Sequence, residues 1–372
     1  MNHRLHSLCP YFAMFPPAFV KEQLDAFTKE GDLTLDPFSG RGTTALESLL
    51  SGREAIACDI NPVAYCISAA KANAPRLNAI LQRVGRLESG FKRSSQSRLE
   101  AERERLPQFF RRAFFAGTLR QLVYLRAALD WRHNSLDRFV CALILGHLHG
   151  EMNRSPNYLS NQMPHSVSSK PAYSLKYWCE HNLWPPHRDT FHLLRHRAKF
   201  RLAQGAPDGR GKVALCDARD SGRRFGKYAG RVAAAITSPP YLDVTNFEED
   251  QWLRLWFLGG SPFPTYSSVS RDDRHTSEKL YWKFLSSAWA GIKTLLKPEA
   301  TIVVRIGAKN RDPEHLAEKV SASISNVWPG ASRICSPRLT LLRNSQTKVL
   351  LPDATGCRFE LDMFFALRKR AA

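Results

Sequence analysis

Apolar positions along the chain keep two rhythms. Phe19, Val20, Leu24 and Phe27 recur at helical spacing, which predicts a short helix over 19–30. Leu33 to Asp36 then reads as a short buried strand, and Gly40 and Gly42 make a tight loop. Thr43 opens a helix with Leu46, Leu49 and Leu50 turned inward, and Gly52 closes it. A second strand in "EAIACD" ends at Asp59, and a second helix follows with Pro62 in its first turn. Strand, loop, helix, strand, helix is the opening of a doubly wound α/β sheet.

From about residue 75 the strand signal stops. Leu77, Ile80, Leu81, Val84 and Leu87 share one helix face, and "SRLEAERERL" is a charged helix. Further helices are expected around Leu119–Leu129 and Phe139–Ile144. Residues 151–190 are polar and rich in proline and aromatics, which predicts one long loop; "TFHLLRHRAKFRL" is a basic helix. Strands resume at "KVALCD" and "RVAAAIT". Two helices follow ("EEDQWLRLWFL" and "KLYWKFLSSAWAGIKTLLKP"), then the strand "ATIVVRIGA" and a terminal antiparallel hairpin from "LTLLRN" and "RFELDMFFALRK". The expected fold is α/β: a doubly wound, mostly parallel sheet from 1–75 and 212–372, with a mainly helical region, 76–211, inserted between its second and third strands.

With 372 residues, 43% hydrophobic, the chain can bury a substantial core. No apolar run approaches the roughly 20 residues of a membrane helix, and the N-terminus lacks the apolar stretch and cleavage site of a signal peptide. The eight cysteines are scattered, with no CxxC pair, as in the reduced thiols of a cytoplasmic protein rather than a disulfide scaffold or a zinc ribbon. Charge adds a partner. The formal net charge is +20, and residues 76–212 hold 24 Lys and Arg against 10 Asp and Glu, so that stretch carries +14 of it. An excess of that size implies a polyanion, most simply nucleic acid.

Two motifs carry chemistry. In "DPFSGRGTT" the glycines let the backbone approach a ligand, and the next helix offers its N-terminus. Asp59 stands 23 positions beyond Asp36 at the next strand end, where an acidic residue holds a ribose hydroxyl pair. The dinucleotide fingerprint wants a third glycine where Ala45 stands, so the pattern points to another adenosine-bearing ligand. Asp217, a third acidic residue at a strand end, can accept from an adenine amino group or simply cap a helix. The second motif is "TSPPY", Thr237 to Tyr241, where two adjacent prolines stiffen a strand end and remove two donors.

Together, "DPFSGRGTT" and "TSPPYLD" resemble the S-adenosylmethionine-dependent DNA amino-methyltransferases, which carry an Asp/Ser/Asn-Pro-Pro-Tyr motif and methylate cytosine N4 or adenine N6. The resemblance covers residues 1–75 and about 212–310, with "PYFAMFPPAFV" similar to that family's methionine-side cofactor segment. It implies a Rossmann-like class I methyltransferase core that binds S-adenosylmethionine through Phe12, Asp36, Pro37, Phe38, Ser39, Gly40, Gly42, Thr43, Thr44, Asp59, Ile60, Asp217, Ala218 and Thr237. Catalysis would fall to Ser238, Pro239, Pro240 and Tyr241, with no metal. An exocyclic amine is a poor nucleophile because its lone pair is delocalised into the ring. The Ser238 hydroxyl and the Pro239 carbonyl can accept its two N–H bonds and localise that pair, while Tyr241 stacks on a base extruded from double-stranded DNA. Ser at 238 leans towards cytosine N4. Adenine N6, an RNA or protein substrate, and a binding protein without turnover are the alternatives. A cognate restriction endonuclease is a possible partner.

In the insertion, Lys92, Arg93, Arg111 and Arg112 can meet phosphates, and Tyr158, Tyr173, Tyr177, Trp178 and Trp184 can stack or wedge, though each is as readily a core or surface residue. Asn157, Asn161 and Gln162 have amides suited to an adenine edge. His192 and His196 share a helix face but have no acidic or thiol companion at ligand spacing. Glu248, Glu249 and Asp250 suit a helix cap better than chemistry.

Overall fold

The computed structural model describes residues 2–11, 16–150, 158–163, 170–242, 251–264, 277–308, 311–342 and 357–367. The chain divides into two compact units. A helical unit comprises 1–10, 74–206 and 246–268; a sheet unit comprises 11–73, 207–245 and 269–372.

Among the described residues the sheet unit holds eight strands: β1 (Leu33–Asp36), β2 (Glu54–Asp59), β3 (Lys212–Leu215), β4 (Val232–Thr237), β5 (Leu296–Ala308), β6 (Ser332–Arg333), β7 (Arg338–Leu341) and β8 (Phe359–Ala366). Their order is β3-β2-β1-β4-β5-β8-β6, with β7 also paired to β8. β1 to β5 run parallel, and β8 is antiparallel to β5, β6 and β7. The mostly parallel sheet and the antiparallel β7–β8 closure are those the sequence predicts. The central strands read as unbroken apolar runs because both faces are covered. Ala234 and Ile236 of β4 pack with Val20 and Leu24 of helix α1 (Pro17–Phe27), while Ala235 joins the larger cluster on the other face around Leu285, Trp289 and Ile292. These last residues belong to helix α4 (Glu278–Ile292); α2 (Thr43–Leu50), α3 (Pro62–Ala72) and α5 (Pro313–Ser325) complete the set.

Local chemistry explains the ends of these elements. α1 starts earlier than its apolar period predicts, because Pro17 fits the first helical position, and it stops at Phe27, where Thr28 turns extended. Asn61 caps α3 by accepting from Val63 N, and Pro62 follows at its first position. Leu50 departs from expectation. Leu46 and Leu49 are buried, but Leu50, the last residue of α2 before the chain turns away, is 38% exposed.

In the helical unit, helices span Leu77–Arg93, Gln96–Glu104, Gln108–Ala113, Ala116–Ala128, Ser135–Leu145, Pro171–Glu180, Thr190–Arg201 and Trp252–Phe257. Phe110 lies against Trp252 and Trp256, and Phe109 against Trp178, in an aromatic core. The stretch expected to be one long loop contains the helix Pro171–Glu180, anchored by Ser174 and Trp178 one turn apart. Trp178 is therefore a core residue, and its indole nitrogen donates to Gln162 O at 2.9 Å. All eight cysteines are free. Among the described residues no helix is long and apolar enough to cross a membrane.

Candidate active site

The chain winds outward from β1 to β3, then returns to the other side of β1 as β4. The strand order therefore reverses between β1 and β4, and ligands of open α/β sheets bind beyond the carboxyl ends of strands at such a point. Both motifs end there. Asp36 closes β1 and Thr237 closes β4, and the Thr237 hydroxyl donates to Asp36 Oδ1 at 2.6 Å. Phe38 N donates to the same oxygen at 3.1 Å. Asp36 is only 2% exposed, and this burial pushes its carboxyl up to about 6, with the nearby Asp59 adding to the rise against these hydrogen bonds. A second tie runs from Thr44 Oγ1 to Ile236 O, 3.1 Å.

The glycine loop is shaped by residues that sequence spacing does not connect. Gly40 and Gly42 have φ of +47° and +74°, a region open to glycine. Gly42 N donates to Ser39 O at 2.6 Å, closing the turn. Ser39 is fixed in turn by a bond from its N to Cys58 O and from its hydroxyl to Ser68 on α3. A Cβ on Gly42 would stand 2.7 Å from the Ser68 Cα. Thr43, buried at the start of α2, accepts from Arg41 Nε at 3.3 Å. Asp59 braces the loop: its Oδ2 accepts from Gly40 N and its Oδ1 from Asn61 N, both at 2.9 Å. Pro37 O accepts from Cys58 Sγ. Phe38 packs edge-on to Trp289.

Next to Asp59, Ile60 is 53% exposed, an apolar side chain left in solvent at the sheet's carboxyl edge. At the end of β3, Asp217 caps a turn of 3-10 helix that begins at the buried Ala218. Both its oxygens are held by Arg219, at 3.0 and 2.9 Å. Its capping role is thus realised locally. Phe12, Asn157, Glu248, Glu249 and Asp250 lie outside the described residues.

Beyond β4, Ser238 Oγ donates to the Tyr241 hydroxyl at 3.4 Å. Pro239 is buried, and Pro240 O accepts from the Tyr281 hydroxyl of α4 at 2.9 Å. Tyr241 in turn donates to Glu360 Oε1 of β8 at 3.2 Å. Burial, then the Glu360 charge, pushes the Tyr241 phenol well above its usual value. Burial also raises the Glu360 carboxyl. The sequence motifs miss Glu360, Tyr281, Ser68 and Gly307. Their signal is faint: Glu360 and Asp362 alternate within an apolar strand, opposite Gly307 and Arg305 of β5.

In the helical unit, Arg112 lies over the Trp184 ring at 3.8 Å, and Trp184 is 68% exposed. Tyr177 stacks on His181, and Asn161 Nδ2 donates to Leu183 O. His192 and His196 are exposed.

Comparison with known proteins bears on the first of the two motifs. Residues 2–70 match the DNA methylase family of N6 and N4 type. The resemblance carried by "DPFSGRGTT" is borne out over that segment. A curated relative, the Type II methyltransferase M.XycI of Xanthomonas campestris pv. cyanopsidis, is 31% identical over 70 residues, which are 19% of this chain and 23% of that protein. The match therefore spans about a quarter of the relative's length. Among solved structures, a SAM-dependent methyltransferase from Methanosarcina mazei is similar at TM-score 0.38 and 9% identity, covering 96% of this chain and 100% of that one. The rRNA methyltransferase aviRa from Streptomyces viridochromogenes is similar at TM-score 0.35 and 13% identity, covering 99% and 90%.

Proposed function

We propose that the protein is a DNA amino-methyltransferase that transfers the methyl group of S-adenosylmethionine to N4 of a cytosine turned out of the duplex. What supports this most is the 2.6 Å bond from Thr237 to Asp36, which holds the "SPPY" turn against the glycine loop at one point of the sheet. A donor loop and an acceptor loop so joined can place a methyl group in line with an amine.

The residues fit the cofactor. Gly40 and Gly42 let the loop backbone approach a ligand, and Asp59, which braces that loop, stands at the strand end where an acidic residue holds a ribose hydroxyl pair. The exposed Ile60 offers an apolar face to an adenine ring, and Asp217 with Ala218 stands at the next strand end for its amino edge. The buried Asp36 carboxyl suits the ammonium of the methionine part. S-adenosylmethionine supplies an electrophilic methyl group. The chain supplies acceptors: Ser238 Oγ and the Pro239 carbonyl draw the amine hydrogens out of the ring plane, in a turn that two prolines keep free of competing donors. The Tyr241 ring offers the flipped base a face to stack on. The basic helical unit, with Lys92, Arg93 and Arg111 at or near helix ends, suits the phosphates of DNA. By the same resemblance, a restriction endonuclease of the same target is the natural companion.

The test is direct. The protein is incubated with labelled S-adenosylmethionine and duplex DNA, RNA or protein, and the digested product is identified by mass spectrometry. N4-methylcytosine is expected. N6-methyladenine alone would overturn the choice of base, and methylated RNA or protein the choice of substrate. Bound cofactor with no transfer to anything would make the protein a binder without turnover.

A further inference from the structure

Position 238 holds a hydroxyl where a carboxylate would be a ready proton acceptor, yet the reaction above releases a proton from nitrogen. The hydrogen bonds lead from that hydroxyl to a carboxylate 119 residues further on in the chain than Tyr241. Resting on the methyltransferase reading, we propose that Glu360 is a positioning residue that fixes the hydrogen-bond direction of Tyr241 and Ser238 and receives the proton they relay from the substrate amine.

The direction follows from what each group can do. An ionised carboxylate only accepts, so the Tyr241 hydroxyl hydrogen points to Glu360 Oε1. The Tyr241 oxygen is then free to accept the hydrogen of Ser238 Oγ. With its hydrogen committed, Ser238 turns lone pairs to the crevice and presents an acceptor to the amine. Without Glu360 the two hydroxyls can rotate, and Ser238 presents a donor part of the time.

The sheet is built to hold this chain of groups. Gly307 pairs with Glu360 across β5 and β8. A Cβ there would meet Tyr241 Cε2 and Phe359 O, each at 2.8 Å, and would overlap Cys357 Sγ. The missing side chain is the space the tyrosine occupies. The charges facing Glu360 are Arg305 of β5 and Asp362 of β8, with the neutral Tyr241 and Cys357 beside them. Arg305 is committed to Asp362 by two bonds of 2.6 and 2.8 Å and approaches Glu360 Oε2 only at 3.5 Å. Glu360 therefore keeps Oε1 for Tyr241, and its raised carboxyl is suited to holding a proton.

In the transfer, the amine nitrogen bonds the methyl carbon as the carbon–sulfur bond breaks, and the positive charge passes from sulfur to nitrogen. Nitrogen releases a proton to Ser238 Oγ. Ser238 passes its own to Tyr241, and Tyr241 its own to Glu360, which becomes a neutral acid and later loses the proton to water. The amine ends neutral and methylated.

Glu360→Gln tests this, because glutamine keeps an oxygen for Tyr241 but cannot take up a proton. Its kcat is expected to fall about 10²- to 10⁴-fold, while KM for DNA and cofactor affinity stay within about twofold. The fall of wild-type kcat at low pH, where Glu360 is protonated, should disappear. Tyr241→Phe should lose a similar factor in kcat. Wild-type kcat with an unchanged acid limb in Glu360→Gln would overturn the proposal. Infrared titration of the protein alone gives a separate reading: losing the Tyr241 hydroxyl should move the Glu360 carboxyl band to higher pH. If the wild type methylates nothing, the methyltransferase reading fails, and this band still decides the hydrogen-bonded link; an unmoved band overturns it.

Discussion

Gly42→Ala probes the turn on which the cofactor loop depends, and Gly52→Ala is its internal control. The two glycines flank α2 with nearly equal φ, +74° and +72°. Alanine in that left-handed region costs about 1–2 kcal/mol at either place. The difference lies in what a Cβ meets. At 42 it stands 2.7 Å from the Cα and Cβ of Ser68, backbone in the middle of α3 that can move only with its helix. At 52 it meets Glu30 Cγ at 2.9 Å, the far part of an exposed side chain that can swing away. Forcing an atom into packed structure adds about 1–3 kcal/mol, so Gly42→Ala should cost about 2–5 kcal/mol and Gly52→Ala about 1–2. Relief at 42 must move the loop that carries Gly40 N away from Asp59, so ligand binding should weaken as well. Urea unfolding and calorimetric titration with S-adenosylhomocysteine on both variants measure the two effects. Equal stability losses at 42 and 52, or wild-type affinity in Gly42→Ala, would refute the reasoning.

Three further outcomes follow from the site. Burial raises the Asp36 carboxyl from 3.8 to about 6, so the fold binds that proton more tightly than the unfolded chain. Its stabilisation is full below pH 4 and is lost as pH rises through about 6, of order 3 kcal/mol in all. Asp36→Asn should flatten that window and be the more stable protein at pH 8, with weakened cofactor binding; urea midpoints at pH 5 and 8 that differ as in the wild type would contradict it. Gly307→Ala should displace Tyr241 and cut methyl transfer at least tenfold while cofactor affinity holds, measured by single-turnover transfer and calorimetry. Trp184→Ala should weaken duplex binding severalfold in fluorescence anisotropy without lowering the melting temperature, because Trp184 is mostly exposed, with Arg112 lying over its ring.

The first half of the site is legible because it is local. Strand β1, the glycine loop, α2, β2 and Asp59 occupy 27 consecutive positions, Leu33 to Asp59, and each boundary has its own signal. The same locality explains why Asp217 caps its 3-10 turn: a capping aspartate takes the nearest donors, and Arg219 is two residues away. The helix Pro171–Glu180 escaped a reading by composition because its buried side is only Ser174 and Trp178, too few to show a period among prolines and aromatics. Glu360 escaped as well, since a carboxylate within an apolar strand carries no sign of the tyrosine, 119 positions earlier, that binds it.

By itself, then, the chain's sequence determined most of the elements, their order, the glycine loop and the "SPPY" turn, since these depend on backbone preference and on neighbours within a few residues. Tertiary structure alone decided which ends meet: Thr237 on Asp36 across 201 positions, and Tyr241 on Glu360 across 119. Strand pairing is chosen by which buried faces fit together, and no local pattern records that choice. The crevice at the β1–β4 reversal, and the carboxylate behind the tyrosine, exist only once the sheet has formed.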